Sequence, residues 1–503
     1  MSQPYLLGID QGTSGSRALV IDRDGAVRGY AYRPLARLYP LPDRVEQDPA
    51  AVAEGVAAVI SEALDHAGVR PGEIAGCGIA GQRNTEFAWD ERDGRALANA
   101  ITWQDLRTLP LLVELQDWPL LPEARHRLGY APGPYMAALH LAWRMRHDLT
   151  FRAAAQSGHL RLGLSAAWLM VALGRQASHS MDRSLVQATG LYDFRTGDYW
   201  QAWLDRLEVP RAALPSAVST IHEFGDLHIN GADVPVMAMI GDQQGALFGH
   251  GCRVPGAAEC TQGTATFVKV FMGGLAPRQD IIDVFYAWDT GHGQTYCLEA
   301  PTTVVGAAIR WMRDELRLFD EYHELDGLAT GVPDAGEVVF VPAFTGLNAP
   351  YNDPQARGTL LGLTLGTRRG HIVRAFLEAL GFQIRDILET IERDTGRRVE
   401  ELLVGGGVTA SDIACQIQAD LTGIPVLRPT FAETTAYAAA LLAGCGAGFW
   451  SSDDELPPSP GTRTVFEPCI PPSRRDAGFA RWRDAIGFVR SWSESQSNSV
   501  NPD

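Results

Sequence analysis

The chain contains no Cys-x-x-Cys pair. Its seven cysteines are scattered at 77, 252, 260, 297, 415, 445 and 469. The odd count and irregular spacing exclude a zinc ribbon and a disulfide scaffold, and read as the reduced thiols of a cytoplasmic protein. None of the 12 histidines falls in a His-Glu-x-x-His pattern, so no metallohydrolase helix is present. No apolar run is long enough to cross a bilayer. The most apolar stretch, 436–450, is short and rich in Gly and Ala, and predicts a buried helix. The opening MSQPYLLGID meets an acidic residue too early for a secretory leader. Positive charge is in deficit: Lys and Arg total 43 against 60 Asp and Glu, a net charge of −17. A surface that acidic argues against nucleic acid or anionic membrane as a partner. Low-complexity tracts are absent, and only residues 491–503 read as a disordered tail.

What remains is a globular composition, 46% hydrophobic and 20% charged, over 503 residues. That length exceeds one ordinary core and predicts at least two domains. A strand over 5–10 enters a turn of small residues, and a second strand follows at 18–22. Asp24-Gly25 is a hairpin signal, with a third strand over 26–33. Asp48-Pro49 then opens a helix whose apolar face is Val52, Val56, Ile60 and Leu64, ending near Gly68. A short apolar strand, 74–80, enters Gly81-Gln82-Arg83. The second half repeats these features: QGTSGSRALV at 11–20 matches QGTATFVKVF at 262–271, and a strand over 402–404 enters Gly405-Gly406-Gly407. The repetition predicts two related α/β domains meeting near residue 245: 1–244, and 245–490 before the tail.

The chemistry follows from three features. A turn of Gly, Thr and Ser exposes N–H groups and hydroxyls that can cradle phosphate oxygens. Two such turns facing each other can hold a polyphosphate from both sides, although neither has the Gly-Lys-Ser/Thr ending of a P-loop. Asp10, at the end of the first strand, is repelled by phosphate unless a cation lies between them, which suits Mg²⁺ held through water. Asp242, at the end of the apolar strand 234–240, suits a general base for a hydroxyl. Phosphoryl transfer requires little more than positioning, a metal and a base. Gly405–Gly407 has two readings here: a backbone approaching a nucleotide, or a turn requiring positive φ.

Together the segments GIDQGTSGSRALVID, YPLPDRVEQDP, ITWQDLR, GDQQGALFG and VPAFTGLNAPYNDPQARGTLLGLT resemble the FGGY carbohydrate kinases. Within that family the likeness is greatest to the branch that phosphorylates glycerol, and it runs from Leu7 to about Glu467. The resemblance implies an α/β chain of actin-like ATPase fold: two ribonuclease-H-like domains flanking a cleft, with ATP and Mg²⁺ on one side and a polyol deep inside. It implies Asp242 as the base and Asp10 as the Mg²⁺-associated acid. Thr13, Ser14, Gly15 and Arg17 match the first phosphate loop, and Gly263 and Thr264 the second. Gly306, Arg310, Gly407 and Ser411 fall at nucleotide positions. Gln82, Arg83, Asn84, Trp103, Tyr135, Asp242, Gln243 and Phe267 fall around the polyol. Homodimers or homotetramers are common among such kinases.

The largest departure is Asn84, where the glycerol branch carries Glu. An amide offers one acceptor, one donor group and no charge, so it grips hydroxyls more weakly than a carboxylate. Two readings follow: a tolerated change in a member that phosphorylates glycerol, or an Arg83 left electrostatically freer for a different polyol or sugar bearing a carboxylate or carbonyl. On the nucleotide side, Arg310, Gly405 and Ser411 also depart from the pattern. Asp233 stands where fructose 1,6-bisphosphate-sensitive members have Arg, which implies no inhibition by that anion. A nucleotide-gated sensor on the same fold is the reading from another class; it has no use for Asp242, Trp103 or Tyr135.

Overall fold

The computed structural model describes residues 4–175, 178–263, 266–277, 281–302 and 305–500. Two seven-stranded sheets organise it. The first runs Val27–Pro34, Gly15–Asp22, Tyr5–Gln11, Ile74–Gly81, Ala232–Gly241, Ile221–Ile229, Gly174–Arg175. Its first three strands are antiparallel, and Tyr5–Gln11, Ile74–Gly81 and Ala232–Gly241 are parallel. The second runs Asp283–Tyr286, Tyr296–Pro301, Thr266–Gly273, Ala258–Gln262, Leu402–Gly405, Val426–Pro429, Arg463–Phe466. Antiparallel pairing again reaches a central strand, Ala258–Gln262, and parallel pairing continues beyond it. The two Gln-Gly-Thr segments therefore occupy equivalent hairpins. Thr264 itself lies outside the described residues.

Local sequence accounts for the helices. Asp48 caps Pro49–Ala67 by accepting from the Ala50 N–H at 2.9 Å, and Gly68 ends it at φ 65°. Val52, Val56, Ile60 and Leu64 are all buried against the first sheet. Helix Arg369–Thr395 buries Phe376, Leu380, Ile384, Ile387 and Ile391. The apolar stretch near 436 forms the buried helix Thr434–Gly446. Although it comes late in the chain, it packs on the first sheet. Gly8 and Gly78 make this possible: a Cβ at either would stand about 2 Å from the carbonyl oxygen of Ala436 or Ala439. All strands of the first sheet precede residue 242 and all of the second follow 257. This late helix nonetheless makes the halves interlock instead of dividing cleanly near 245.

One local expectation is corrected. Helix Pro472–Val500 continues through the segment whose polar composition reads as a tail. Trp482, Ile486 and Val489 anchor it in the second core cluster, and once begun a helix extends through Ser, Gln and Glu at little cost. Asp242 stands at the end of strand Ala232–Gly241, as expected, and opens helix Asp242–Gly249. Among the described residues, no helix is long and apolar enough to cross a membrane.

Candidate active site

Three parallel strands of the first sheet end at one level. Asp10, Ala80 and Ile240 form one row, and Gln11, Gly81 and Gly241 the next. Gln82, Arg83 and Asp242 follow immediately, so the strand ends deliver Asp10, Arg83 and Asp242 to one place. Ligand sites of open α/β sheets lie at such carboxyl ends.

Gln82 organises the first hairpin. Its Nε2 donates to Gln11 Oε1 at 3.0 Å and Gln47 Oε1 at 2.8 Å. Its Oε1 accepts from Thr13 Oγ1 at 3.1 Å and Thr85 Oγ1 at 2.9 Å. The side chain is fully buried and its hydrogen-bonding capacity is spent. Gln82 therefore supports the loop, with all four of its amide hydrogen bonds made to Thr13, Thr85, Gln11 and Gln47. Trp103 is half turned to solvent and donates its Nε1–H to Thr13 Oγ1 at 2.8 Å. Ser14 is exposed at the hairpin tip. Gly15 is buried instead, because a Cβ there would stand 2.5 Å from the Arg33 carbonyl oxygen.

Asp10 meets Arg17 at 3.3 Å, and Arg17 Nε reaches Glu433 at 2.9 Å. Burial pushes the Asp10 carboxyl up to about 7, Arg17 opposes this, and Asp242 and Glu433 add to it. Asp242 is likewise raised by burial, with Arg83 as the main opposing charge. Its Oδ1 accepts from the Gln243 N–H at 2.8 Å. The two aspartates thus face one cleft, each destabilised as an anion.

Arg83 is not free. Its Nη2 donates to both oxygens of Glu299, at 2.6 and 2.9 Å. Its Nε lies 3.6 Å from Asp242, and its guanidinium lies 4.8 Å from the Phe285 ring centroid. The charge that Asn84 does not neutralise is taken up by Glu299, which comes from the opposite sheet. Phe285 stacks on Tyr130, and Tyr130 on Tyr135, whose hydroxyl donates to the Ala131 carbonyl at 2.8 Å. Phe267, on strand Thr266–Gly273, is half-buried. Two polar atoms here are buried without a partner among the described residues: Arg83 Nη1, a donor, and Asn84 Oδ1, an acceptor. Asn84 adopts φ 60°, a left-handed conformation that Asn tolerates.

Across the cleft, strand Ala258–Gln262, which leads into Gly263, packs beside the turn Gly407–Ala410. Gly406 has φ 99°, and a Cβ there would stand 2.4 Å from the Gln262 carbonyl oxygen. The positive-φ turn reading thus applies to Gly406, while Gly407 faces open space. Ser411 caps helix Asp412–Thr422 and donates to Asp326 at 2.6 Å, so its hydroxyl proton is already used. Gly306 sits in the first turn of helix Val305–Asp314, and Arg310 is exposed on the same helix. Asp233 is exposed far along the strand from Asp242, with His228 Nδ1 at 2.7 Å.

Sequence reading did not single out Glu299, Lys269, Glu259, Asp283 or Glu433. Four of them form one row across the second sheet: Glu259 pairs with Lys269, Lys269 with Glu299, and Glu299 with Asp283. The available signal was Lys269, the only lysine in the chain, set within an apolar strand.

Sheet order, paired hairpins and converging aspartates define a phosphotransferase of the actin-like ATPase fold. Residues 5–249 match the N-terminal domain, and residues 258–447 the C-terminal domain, of the FGGY family of carbohydrate kinases. The chain belongs to that family. It is similar to the glycerol kinase of Symbiobacterium thermophilum, 39% identical over 495 residues, covering 98% of this chain and 99% of the other. The glycerol kinase of Aromatoleum aromaticum is 41% identical over 492 residues, covering 97% and 99%. Among solved structures, Plasmodium falciparum glycerol kinase with ADP superposes with a TM-score of 0.90 at 25% identity, covering 96% and 98%. Xylulose kinase from Rhodospirillum rubrum shares the fold, with a TM-score of 0.86 at 23% identity and coverage of 97% and 100%.

Proposed function

We propose that the protein transfers the terminal phosphoryl group of ATP to a hydroxyl of a small neutral polyol, glycerol first. The observation that carries this reading is the pair of unsatisfied buried atoms on the consecutive residues Arg83 and Asn84, of which Arg83 lies 3.6 Å from Asp242 through its Nε. A hydroxyl both donates and accepts, so one polyol can accept from Arg83 Nη1 and donate to Asn84 Oδ1. Asp242 Oδ then takes the proton of the attacking hydroxyl as its oxygen meets phosphorus. A carboxylate substrate is disfavoured, because Arg83 already serves Glu299 and Asp242. The test is coupled ADP release with Mg-ATP over glycerol, dihydroxyacetone, glycerate, tetritols, pentitols and pentuloses. Glycerol leading and glycerate silent is the expected order; a preference for glycerate sinks the neutral-polyol reading.

Similarity to named glycerol kinases supports glycerol itself. The hairpins with Thr13, Ser14, Gly263 and Thr264 would hold the phosphates, with Gly407 and Gly306 toward the nucleoside. Among the described residues no cluster of three metal-ligating side chains exists. Mg²⁺ would need no such cluster, because it is commonly held by one or two carboxylates together with substrate phosphates and water. Asp10 fits that role, because its buried carboxylate lacks enough positive charge to ionise freely. When bound, the ion neutralises charge on the transferring phosphoryl group.

The Asp10 pKa yields a measurable consequence. Between 3.8 and about 7 the folded chain holds a proton that the unfolded chain has lost, so Asp10 subtracts stability as pH rises through that window. Binding that requires the anion must expel the proton. Mg-ADP binding at pH 7 should release roughly half a proton from Asp10. Titration calorimetry in buffers of different ionisation enthalpy should show it, and Asp10→Asn should abolish it.

Asn84 gives a second expected result. Asn84→Asp keeps a short side chain suited to φ 60° and makes the acceptor charged. The KM for glycerol should fall about threefold to tenfold, with the KM for ATP unmoved. An unchanged glycerol KM would show that Asn84 does not contact the polyol.

A further inference from the structure

We infer that Lys269 is a positioning residue that sets the direction of the Gln243 amide in the polyol pocket, an inference that rests on the pocket reading above. Lys269 is the only lysine among 43 Lys and Arg residues. It lies in the middle of strand Thr266–Gly273 and is 1% exposed. Its ammonium pairs with Glu259, which is fully buried on the neighbouring strand. Thr261 Oγ1 lies 3.4 Å from Nζ and itself donates to Glu259. Stability alone does not account for such a pair, because a buried ion pair seldom outperforms apolar residues of the same volume.

The remaining contact gives the pair a use. Lys269 Nζ donates to Gln243 Oε1 at 2.7 Å. An ammonium has donors only, so it fixes which end of the amide faces it. The Gln243 oxygen is held inward by the second sheet, and its NH₂ is left to point the other way. Gln243 follows Asp242 directly, and its own N–H holds Asp242 Oδ1. Lys269 thereby makes the two residues unlike: Asp242 presents an acceptor and Gln243 a donor. A vicinal diol matches that pair, with one hydroxyl donating to Asp242 and the adjacent oxygen accepting from Gln243. Without the lysine the amide can turn over, and its oxygen would then oppose the substrate oxygen. Within the row across the sheet Lys269 also stands between Glu259 and Glu299.

The single variant Lys269→Met leaves Glu259 buried and unpaired and can fail to fold. The pair is therefore replaced together, Glu259→Met with Lys269→Met. The double variant should fold and raise the KM for glycerol about threefold to tenfold, the loss of one oriented hydrogen bond, without moving the KM for Mg-ATP. Gln243→Ala should give a rise of the same size and add nothing to the double variant. A wild-type glycerol KM in the double variant, or an additive loss in the triple, overturns the inference. The lone lysine supplies a readout independent of turnover. In ¹³C-lysine-labelled protein one side-chain resonance reports Lys269; saturating glycerol should shift it in the wild type and not in Gln243→Ala. A resonance that glycerol never moves overturns the inference. A resonance that moves in a protein releasing no ADP supports it while the kinase reading fails.

Discussion

Asp242→Asn should lower kcat by about 10²-fold to 10⁴-fold, the range that a general base contributes. Glycerol and Mg-ATP should still bind, because the amide keeps the volume and one acceptor oxygen. The side chain sits where the reading requires, opening a helix at the end of a central strand, with its carboxylate raised by burial. A raised pKa also fixes the sign of the pH effect. The base works only when ionised, so kcat in the wild type should fall on the acid side, with a midpoint above the ordinary carboxylate value. Coupled ADP release across pH 5–9 would measure both effects. A kcat for Asp242→Asn within about tenfold of wild type would remove Asp242 from the chemistry, whereas a wild type that releases no ADP with any polyol would favour a nucleotide-gated sensor.

Arg83→Met should be the most damaging substitution in the pocket. Arg83 stands between Glu299 and Asp242, and its side chain is 10% exposed. Removing it leaves the buried Glu299 and the partly buried Asp242 without the guanidinium that pairs with both. Breaking a buried pair from one side costs about 3–5 kcal/mol. The chain also loses the charge that most holds the Asp242 pKa down, so the acid limb of kcat should move to higher pH. The expected result is a clear drop in the denaturation midpoint together with a loss of at least about 10²-fold in kcat/KM for the polyol. Arg83→Lys keeps the charge without the planar fork, so it should recover the pH profile more fully than the KM. If Glu299→Gln in the Arg83→Met background restores no stability, the ion pair is not what Arg83 contributes.

The fold was largely legible. Periodicity placed helix Pro49–Ala67 with its cap and stop, because Asp48, Pro49 and Gly68 act within one turn of themselves. The repeated Gln-Gly-Thr turns pointed to two related sheets, since each turn joins strands adjacent in sequence. Asp10 and Asp242 stood out because each ends an apolar run. The state of Arg83 was not legible. From Asn84 alone it reads as unpaired, and only Glu299, 216 positions away, takes up its charge. The supporting role of Gln82 was not legible for a similar reason: its partners Gln11 and Gln47 are distant in sequence. The row Glu259–Lys269–Glu299–Asp283 exists only once three strand registers are set.

By itself the sequence determined the elements, the paired hairpins and the two carboxylates, because these depend on contacts within a turn or on side chains at strand ends. Tertiary structure alone decided which charges cancel, which amides are spent and which polar atoms remain open to a substrate. Those depend on pairings across the two sheets, where burial makes each partner's presence or absence worth several kcal/mol. Glu299 supplies the charge that Asn84 lacks, and on the proposed reading the open atoms of Arg83 and Asn84 are left for a hydroxyl.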